Sequence, residues 1–169
     1  MISKPECTPG ELGQVMDKYA AMVYRLAYAQ LRRAADAEDI SQEVFLRYYQ
    51  KRPEFASEEH RKAWILKVTL NRVRSYSASA WRRRTVPLEE ASEITQPEGR
   101  DLSEALDQLS AKDRSLIHLY YYEDMSAREI GMLLGRKEST VRTQLTRARE
   151  RLGKILKGEA YEGSLPESI

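Results

Sequence analysis

Cysteine is almost missing from this chain, with Cys7 the only one in 169 residues. A single thiol can form neither an intramolecular disulfide nor a cysteine-based zinc site, so a disulfide scaffold and a zinc finger are both excluded. Histidine is nearly as scarce. His60 and His118 are the only two, too few to complete a metal set of the usual kind. No apolar run approaches the length that spans a bilayer. The opening segment MISKPECTPGEL lacks the apolar centre of a signal peptide. These absences predict a cytoplasmic protein that does not itself insert into a membrane. There is no GxxxxGK[ST] phosphate loop and no GxSxG nucleophile elbow. No catalytic residue, cofactor or metal is therefore expected, and the chain reads as a non-enzyme. Eight glycines, six prolines and few alternating β-branched runs favour an all-α protein.

Charge is plentiful, and it is unevenly placed. The formal net charge is only +2, yet 32% of residues are charged. From His60 to Leu88 there is no Asp or Glu, while Arg61, Lys62, Lys67, Arg72, Arg74, Arg82, Arg83 and Arg84 all occur there. A second basic block runs from Arg136 to Lys157, opposed only by Glu138 and Glu150. Acids gather at Asp36, Glu38, Asp39 and Glu43, and again from Glu89 to Asp107. Solvated helix faces explain many charge runs. Two separated basic blocks also suit two contacts on one polyanion.

Apolar spacing organises the chain into helices. Thr8 or Gly10 can start a first helix running to about Ala35, with Leu12, Val15, Tyr19, Met22, Val23 and Leu26 on one face. Asp36 is expected to N-cap a second helix, with Asp39 three residues on. Ile40, Val44 and Tyr48 carry that helix to about Gln50, and Pro53 stops it. Pro53 to Ala56 reads as a loop. Ser57 caps a third helix, with Glu58 and Glu59 in its first turn and Ala63, Trp64, Val68 and Val73 turned inward. It reaches Ser79, or continues into Trp81 to Arg84. The polar run Pro87 to Arg100 reads as a linker. Leu102, Leu106 and Leu109 open a second domain, in which Ser110 caps a helix carrying Leu116, Ile117, Leu119 and Tyr120. The expected organisation is two small helical domains, 8–84 and 102–158, joined by a flexible linker at 85–101, with a polar tail at 159–169.

The last third has a helix-turn-helix pattern. Ser126 caps a short helix with Ile130, Leu133 and Leu134 facing inward. Gly135 supplies the left-handed turn residue. Ser139 or Thr140 starts the next helix, which Val141, Leu145 and Ala148 pin to the core. Arg142, Thr143, Gln144 and Arg147 are left to face a major groove, where Arg suits guanine, Gln suits adenine and Thr suits a thymine methyl. Arg149, Arg151 and Lys154 suit phosphates. An ordinary helical hairpin with a basic surface is the plainer alternative. On the third helix, Lys67, Asn71, Arg74 and Ala78 share a face with aromatic residues interleaved nearby, a pattern that can track a backbone and stack on unpaired bases. Trp64 is better read as core than as a stacking platform, Trp81 is evenly balanced, and His118 is read as structural.

With these residues placed, the chain resembles an extracytoplasmic-function sigma factor, the smallest class of the bacterial sigma-70 family. Three motifs carry the resemblance in the family's order: DAEDISQEVFLRYY; AWILKVTLNRVRSY followed by AWRRR; and LSAKDRSLIHLYYYEDMSAREIGMLLGRKESTVRTQLTRARERL. The resemblance covers nearly the whole chain, from about Leu12 to Leu156. The resemblance implies that Asp36, Asp39, Gln42, Glu43 and Phe45 dock on the clamp helices of core RNA polymerase. It implies that the loop Lys51 to Glu59, with Pro53, and the following helix, with Lys67, Asn71 and Arg74, read the single-stranded −10 promoter element. It implies that Ser139, Thr140, Arg142, Thr143, Gln144, Arg147 and Arg149 contact the −35 duplex. It further implies an anti-sigma factor, often membrane-anchored, as a partner. Three positions depart from the family's pattern. Ser75 stands where Asp is frequent, Gly131 where Ala is usual, and Arg136 where a small apolar residue commonly follows the turn glycine. The alternatives from other classes are a stand-alone helix-turn-helix regulator of duplex DNA, which would need a dimer interface, and a small nuclease subunit.

Overall fold

The computed structural model describes residues 8–82 and 100–157, in two compact units that divide between Glu93 and Ile94. All regular structure among the described residues is helical. Cys7, Arg83, Arg84, residues 85–99 of the expected linker and the polar tail lie outside the described residues, as does the side chain of Trp81, while Arg100 and Asp101, expected to end the linker, already belong to a helix.

The first unit is three mutually packed helices: α1 (Pro9–Leu31), α2 (Ala34–Lys51) and α3 (Glu58–Arg82). Thr8 caps α1 in a capping box, its hydroxyl accepting from the Glu11 N–H while the Glu11 carboxylate accepts from the Thr8 N–H. The helix stops four residues before the expected Ala35. Arg32 takes a left-handed conformation, φ 53°, and its N–H closes on the Tyr28 carbonyl. The next helix begins at once, with Arg33 at the N-cap and no side-chain cap. Asp36 is therefore not the cap expected of it. It sits inside the first turn of α2, where its charge still faces the positive helix end. A second left-handed residue, Arg52, φ 46°, ends α2 just ahead of Pro53. Ser57 starts α3 as expected, its hydroxyl accepting from the His60 N–H at 3.1 Å.

The core of this unit is aliphatic. Val23, Leu26, Ile40, Val44, Ile65 and Val73 are sealed from solvent. The inward face of α3 is Ile65, Leu66, Thr69, Leu70 and Val73. Of the expected inward set Val73 is buried, while Ala63 is exposed and Trp64 and Val68 are only half-buried. Thr69 is buried at no cost in unpaired groups, because its hydroxyl donates to the Ile65 carbonyl at 2.8 Å. At one edge, the Tyr19 hydroxyl and Lys18 both donate to Glu58 Oε2, at 2.7 and 3.1 Å. Those bonds, the tyrosine's first, hold the Glu58 carboxyl below its ordinary range. Its tie to α1 is thus present at neutral pH and fades only as acid protonates the carboxylate.

The second unit is built around α7 (Glu138–Leu156), which α4 (Arg100–Gln108), α5 (Ala111–Ile117) and α6 (Ala127–Leu134) all contact. A single wide π-turn, His118–Tyr122, continues α5. Ser110 and Ser126 cap α5 and α6 as expected, the latter in a full capping box with Glu129. Leu116, Leu119, Ile130, Val141, Leu145 and Ala148 form the core, and a neighbouring cluster joins Ala105, Leu109 and Ile155. Leu102, at the start of this unit, is exposed.

One ion pair ties the helices of this unit together. Asp113 is buried, and its Oδ2 accepts from Arg151 Nη1 at 2.7 Å. Arg151 was expected to serve phosphates. Here its charge is spent inside the unit. Removing the acid breaks a charge-assisted bond at the edge of the core and leaves a small cavity, so Asp113→Ala is expected to destabilise this unit by about 2–3 kcal/mol. Urea unfolding monitored by circular dichroism measures it, and an unchanged midpoint would show the pair to be dispensable.

Candidate nucleic-acid and polymerase interfaces

On α2, the residues at 39, 42, 46 and 49 follow a helical stripe, since steps of three, four and three stay within one face. Asp39, Gln42, Leu46 and Tyr49 are all exposed. Leu46 is 55% exposed, which is costly for a leucine with nothing to cover it. Phe45, expected in the docking set, is buried in the three-helix core. The spacing of 39, 42, 46 and 49 was available in the sequence and points to Leu46 and Tyr49 rather than Phe45. Asp36 and Glu43 flank the stripe on the side of α3. The Tyr76 hydroxyl donates to Asp36 Oδ1 at 2.7 Å, and that bond keeps the phenol protonated above its ordinary range. Glu43 accepts from Arg72 of α3 through Nε at 2.8 Å and also through Nη2. These two acids therefore fix α3 against α2, leaving Asp39 and Gln42 as the freely presented polar pair.

On α3, Lys67, Asn71, Arg74 and Ala78 are all exposed and lie on one face. Arg72 is turned away from them, toward Glu43. The loop leading into α3 is pinned by rings. Phe55 stacks on Tyr48 at 6.1 Å and meets Trp64 and His60 edge-on at 5.9 and 5.4 Å. The Arg61 guanidinium lies 5.4 Å from the Phe55 ring centre. Trp64 is thus half-buried in an aromatic cluster, consistent with its reading as packing. Pro53 is half-buried at the start of that loop.

In the second unit, Gly135 closes α6 in the left-handed conformation, φ 66°. The recognition helix starts at Glu138, one residue before Ser139, the earlier of its two expected starts. Val141, Leu145 and Ala148 are buried as the spacing predicted. Ser139, Thr140, Arg142, Thr143, Arg147 and Arg149 are exposed along the other side. Arg142 is held by Glu138 one turn back, at 2.5 Å, with 70% of its side chain in solvent. Such a surface pair is worth about 0–1 kcal/mol and yields readily to a base or phosphate. Gln144 is half-buried and accepts a hydrogen bond from Arg136. The Arg149 guanidinium lies over the rings of Tyr120 and Tyr121 at 5.6 and 5.8 Å. His118 stacks on Tyr122 and lies 3.4 Å from Glu123, a local packing role. Among the described residues, no group of three or more His, Cys, Asp or Glu side chains could hold a metal ion. No described helix is long and apolar enough to cross a membrane.

Two helical units, the second built as a helix-turn-helix with a basic outer face, define a modular DNA-reading protein. Comparison with known proteins makes the class specific. Residues 15–83 match the family model for sigma-70 region 2, and residues 99–152 match that for sigma-70 region 4. The chain is 33% identical to the ECF RNA polymerase sigma factor SigL of Mycobacterium tuberculosis over 141 residues, covering 76% of this chain and 79% of SigL. It is 31% identical to the ECF sigma factor SigW of Bacillus subtilis over 163 residues, covering 85% and 87%. With SigE of Mycolicibacterium smegmatis it shares 31% identity over 162 residues, spanning 88% of this chain but 63% of SigE. The fold is that of the sigma factor RpoE of Bartonella quintana, solved with the anti-sigma factor NepR, at TM-score 0.73 and 23% identity over 88% of this chain and 98% of that one. CnrH, solved with the cytosolic domain of CnrY, gives TM-score 0.67 and 20% identity over 90% and 92%. The chain belongs to the ECF RNA polymerase sigma factors of the sigma-70 family.

Proposed function

We propose that this chain directs bacterial core RNA polymerase to a set of promoters, docking through α2, opening and reading the −10 element through α3 and its preceding loop, and reading the −35 duplex through α7. The observation that carries the proposal is the division of exposed surfaces. An acidic and apolar stripe lies on α2, a basic and amide face on α3, and a basic face on the recognition helix. The docking residues are Asp39, Gln42, Leu46 and Tyr49, with Asp36 and Glu43 bracing α3 beside them. Pro53, Lys67, Asn71 and Arg74 serve the −10 strand. Ser139, Thr140, Arg142, Thr143, Gln144, Arg147 and Arg149 serve the −35 duplex. The two solved neighbours support an anti-sigma factor as a further partner, since RpoE was solved with NepR and CnrH with the cytosolic domain of CnrY. Such a role places the protein in the cytoplasm with the polymerase and requires no chemistry of its own.

Co-elution with core polymerase on gel filtration tests the docking half. Wild-type protein is expected to co-elute, and Asp39→Ala with Gln42→Ala to weaken binding while leaving the helical spectrum intact. Failure of the wild-type chain to bind active core polymerase sinks the proposal. On the DNA side, Arg142→Ala is expected to cost roughly 1–3 kcal/mol and to relax preference at one −35 position. Arg149→Ala is expected to weaken all promoters evenly and to lower the salt dependence. Unchanged promoter ranking with Arg142→Ala would show that the base-reading face is set elsewhere on α7.

A further inference from the structure

Two departures from the family's pattern meet at one place in the helix-turn-helix. Gly131 has no side chain, and a Cβ there would lie 2.6 Å from the Arg136 carbonyl oxygen. The turn exploits that opening, because the Arg136 N–H closes on the Gly131 carbonyl at 2.8 Å. With its backbone tucked against α6, Arg136 reaches the recognition helix, and its Nη1 donates to Gln144 Oε1 at 2.8 Å. Arginine can only donate, so the amide oxygen is the end of Gln144 that it must engage. A charge-assisted bond of this kind, on a half-buried side chain, is stronger than a neutral one and fixes the amide.

We propose that Arg136 is a specificity-determining positioning residue, which converts Gln144 from an adenine reader into a hydrogen-bond donor. The inference rests on the sigma-factor reading of α7 given above. Glutamine recognises adenine by accepting from N6–H and donating to N7 together, so it needs its oxygen and nitrogen presented along one edge. The bond to Arg136 draws the oxygen toward the turn and leaves the NH2 to face the groove. An NH2 donor can span guanine N7 and O6, two acceptors side by side, whereas adenine offers it N7 alone, next to the N6–H2 donor. The −35 position read by Gln144 should therefore favour guanine over adenine on the contacted strand. A small apolar residue at 136 would release the oxygen and restore adenine.

The test uses holoenzyme reconstituted from core polymerase and the full chain, transcribing promoters in which each −35 base pair is changed in turn to the other three. Gln144→Ala identifies the position it reads. There, wild-type holoenzyme is expected to prefer guanine. Arg136→Met, which keeps the length and removes the donors, is expected to shift preference toward adenine by roughly tenfold. The same substitution in the Gln144→Ala background is expected to leave the ranking at that position unchanged, a result that a merely structural role for Arg136 would not give. Arg136→Leu repeats the test should the methionine variant fold poorly. The inference is overturned if wild type already prefers adenine there, or if Arg136→Met shifts the ranking equally without Gln144. Both outcomes presuppose promoter-dependent transcripts from the wild-type holoenzyme, whose absence would instead count against the sigma-factor reading.

Discussion

Valine in place of Gly131 is expected to destabilise the helix-turn-helix by about 3 kcal/mol, near the upper end of what overpacking costs. The reason is local and severe. A Cβ at this position meets the Arg136 carbonyl oxygen at 2.6 Å, and the atom it meets belongs to backbone that is itself bonded to Gly131. A side-chain tip could swing aside, whereas this carbonyl can retreat only by opening the turn through Gly135 that sets α7 against α6. Losing a helix-interior glycine returns about 1 kcal/mol of helix propensity for alanine and less for β-branched valine, too little to offset the overlap. Thermal melting followed by circular dichroism measures the loss. An unaltered melting curve would mean that the turn is not as tightly closed as this contact requires.

The second large effect falls on the exposed stripe of α2 that we propose docks on the polymerase. Leu46→Arg is expected to weaken binding to core polymerase by at least about thirtyfold, the scale of a central interface residue, while changing stability by no more than about 0.5 kcal/mol. Leu46 is exposed, so nothing inside the unit depends on it. It lies between Gln42 and Tyr49 on the same stripe, so a bulky charge there obstructs the whole surface. Titration of labelled core polymerase with the variant gives the comparison. Wild-type affinity would show that docking uses another face of α2.

Much of this was legible from spacing alone, and the misses share a cause. The burial of Val141, Leu145 and Ala148 follows from their steps of four and three, and the caps Thr8, Ser57, Ser110 and Ser126 are chemically distinctive. The break between α1 and α2 was foreseen but placed four residues late, because the residue in the left-handed conformation is Arg32, not glycine or asparagine, and no proline follows it. Tertiary packing of two apolar faces imposes that turn against local preference. The end of α2 was foreseen because Pro53 marks it, although Arg52 makes the turn. Phe45 was misplaced for a different reason. A rotation of one position on a helix moves a side chain by 100°, enough to carry it from the partner face into the core, and motif resemblance does not resolve that step. The bonds of Tyr76 to Asp36, Arg151 to Asp113 and Arg136 to Gln144 join residues on different elements or across a turn, so no single-helix pattern announces them.

The most direct measurement is transcription from fragmented bacterial genomic DNA by core polymerase with and without this protein. New transcripts are expected, with a shared pair of sequence elements upstream of their starts. Absence of any new start, with the same core polymerase active on a control sigma factor, would contradict the assignment of promoter recognition to this chain.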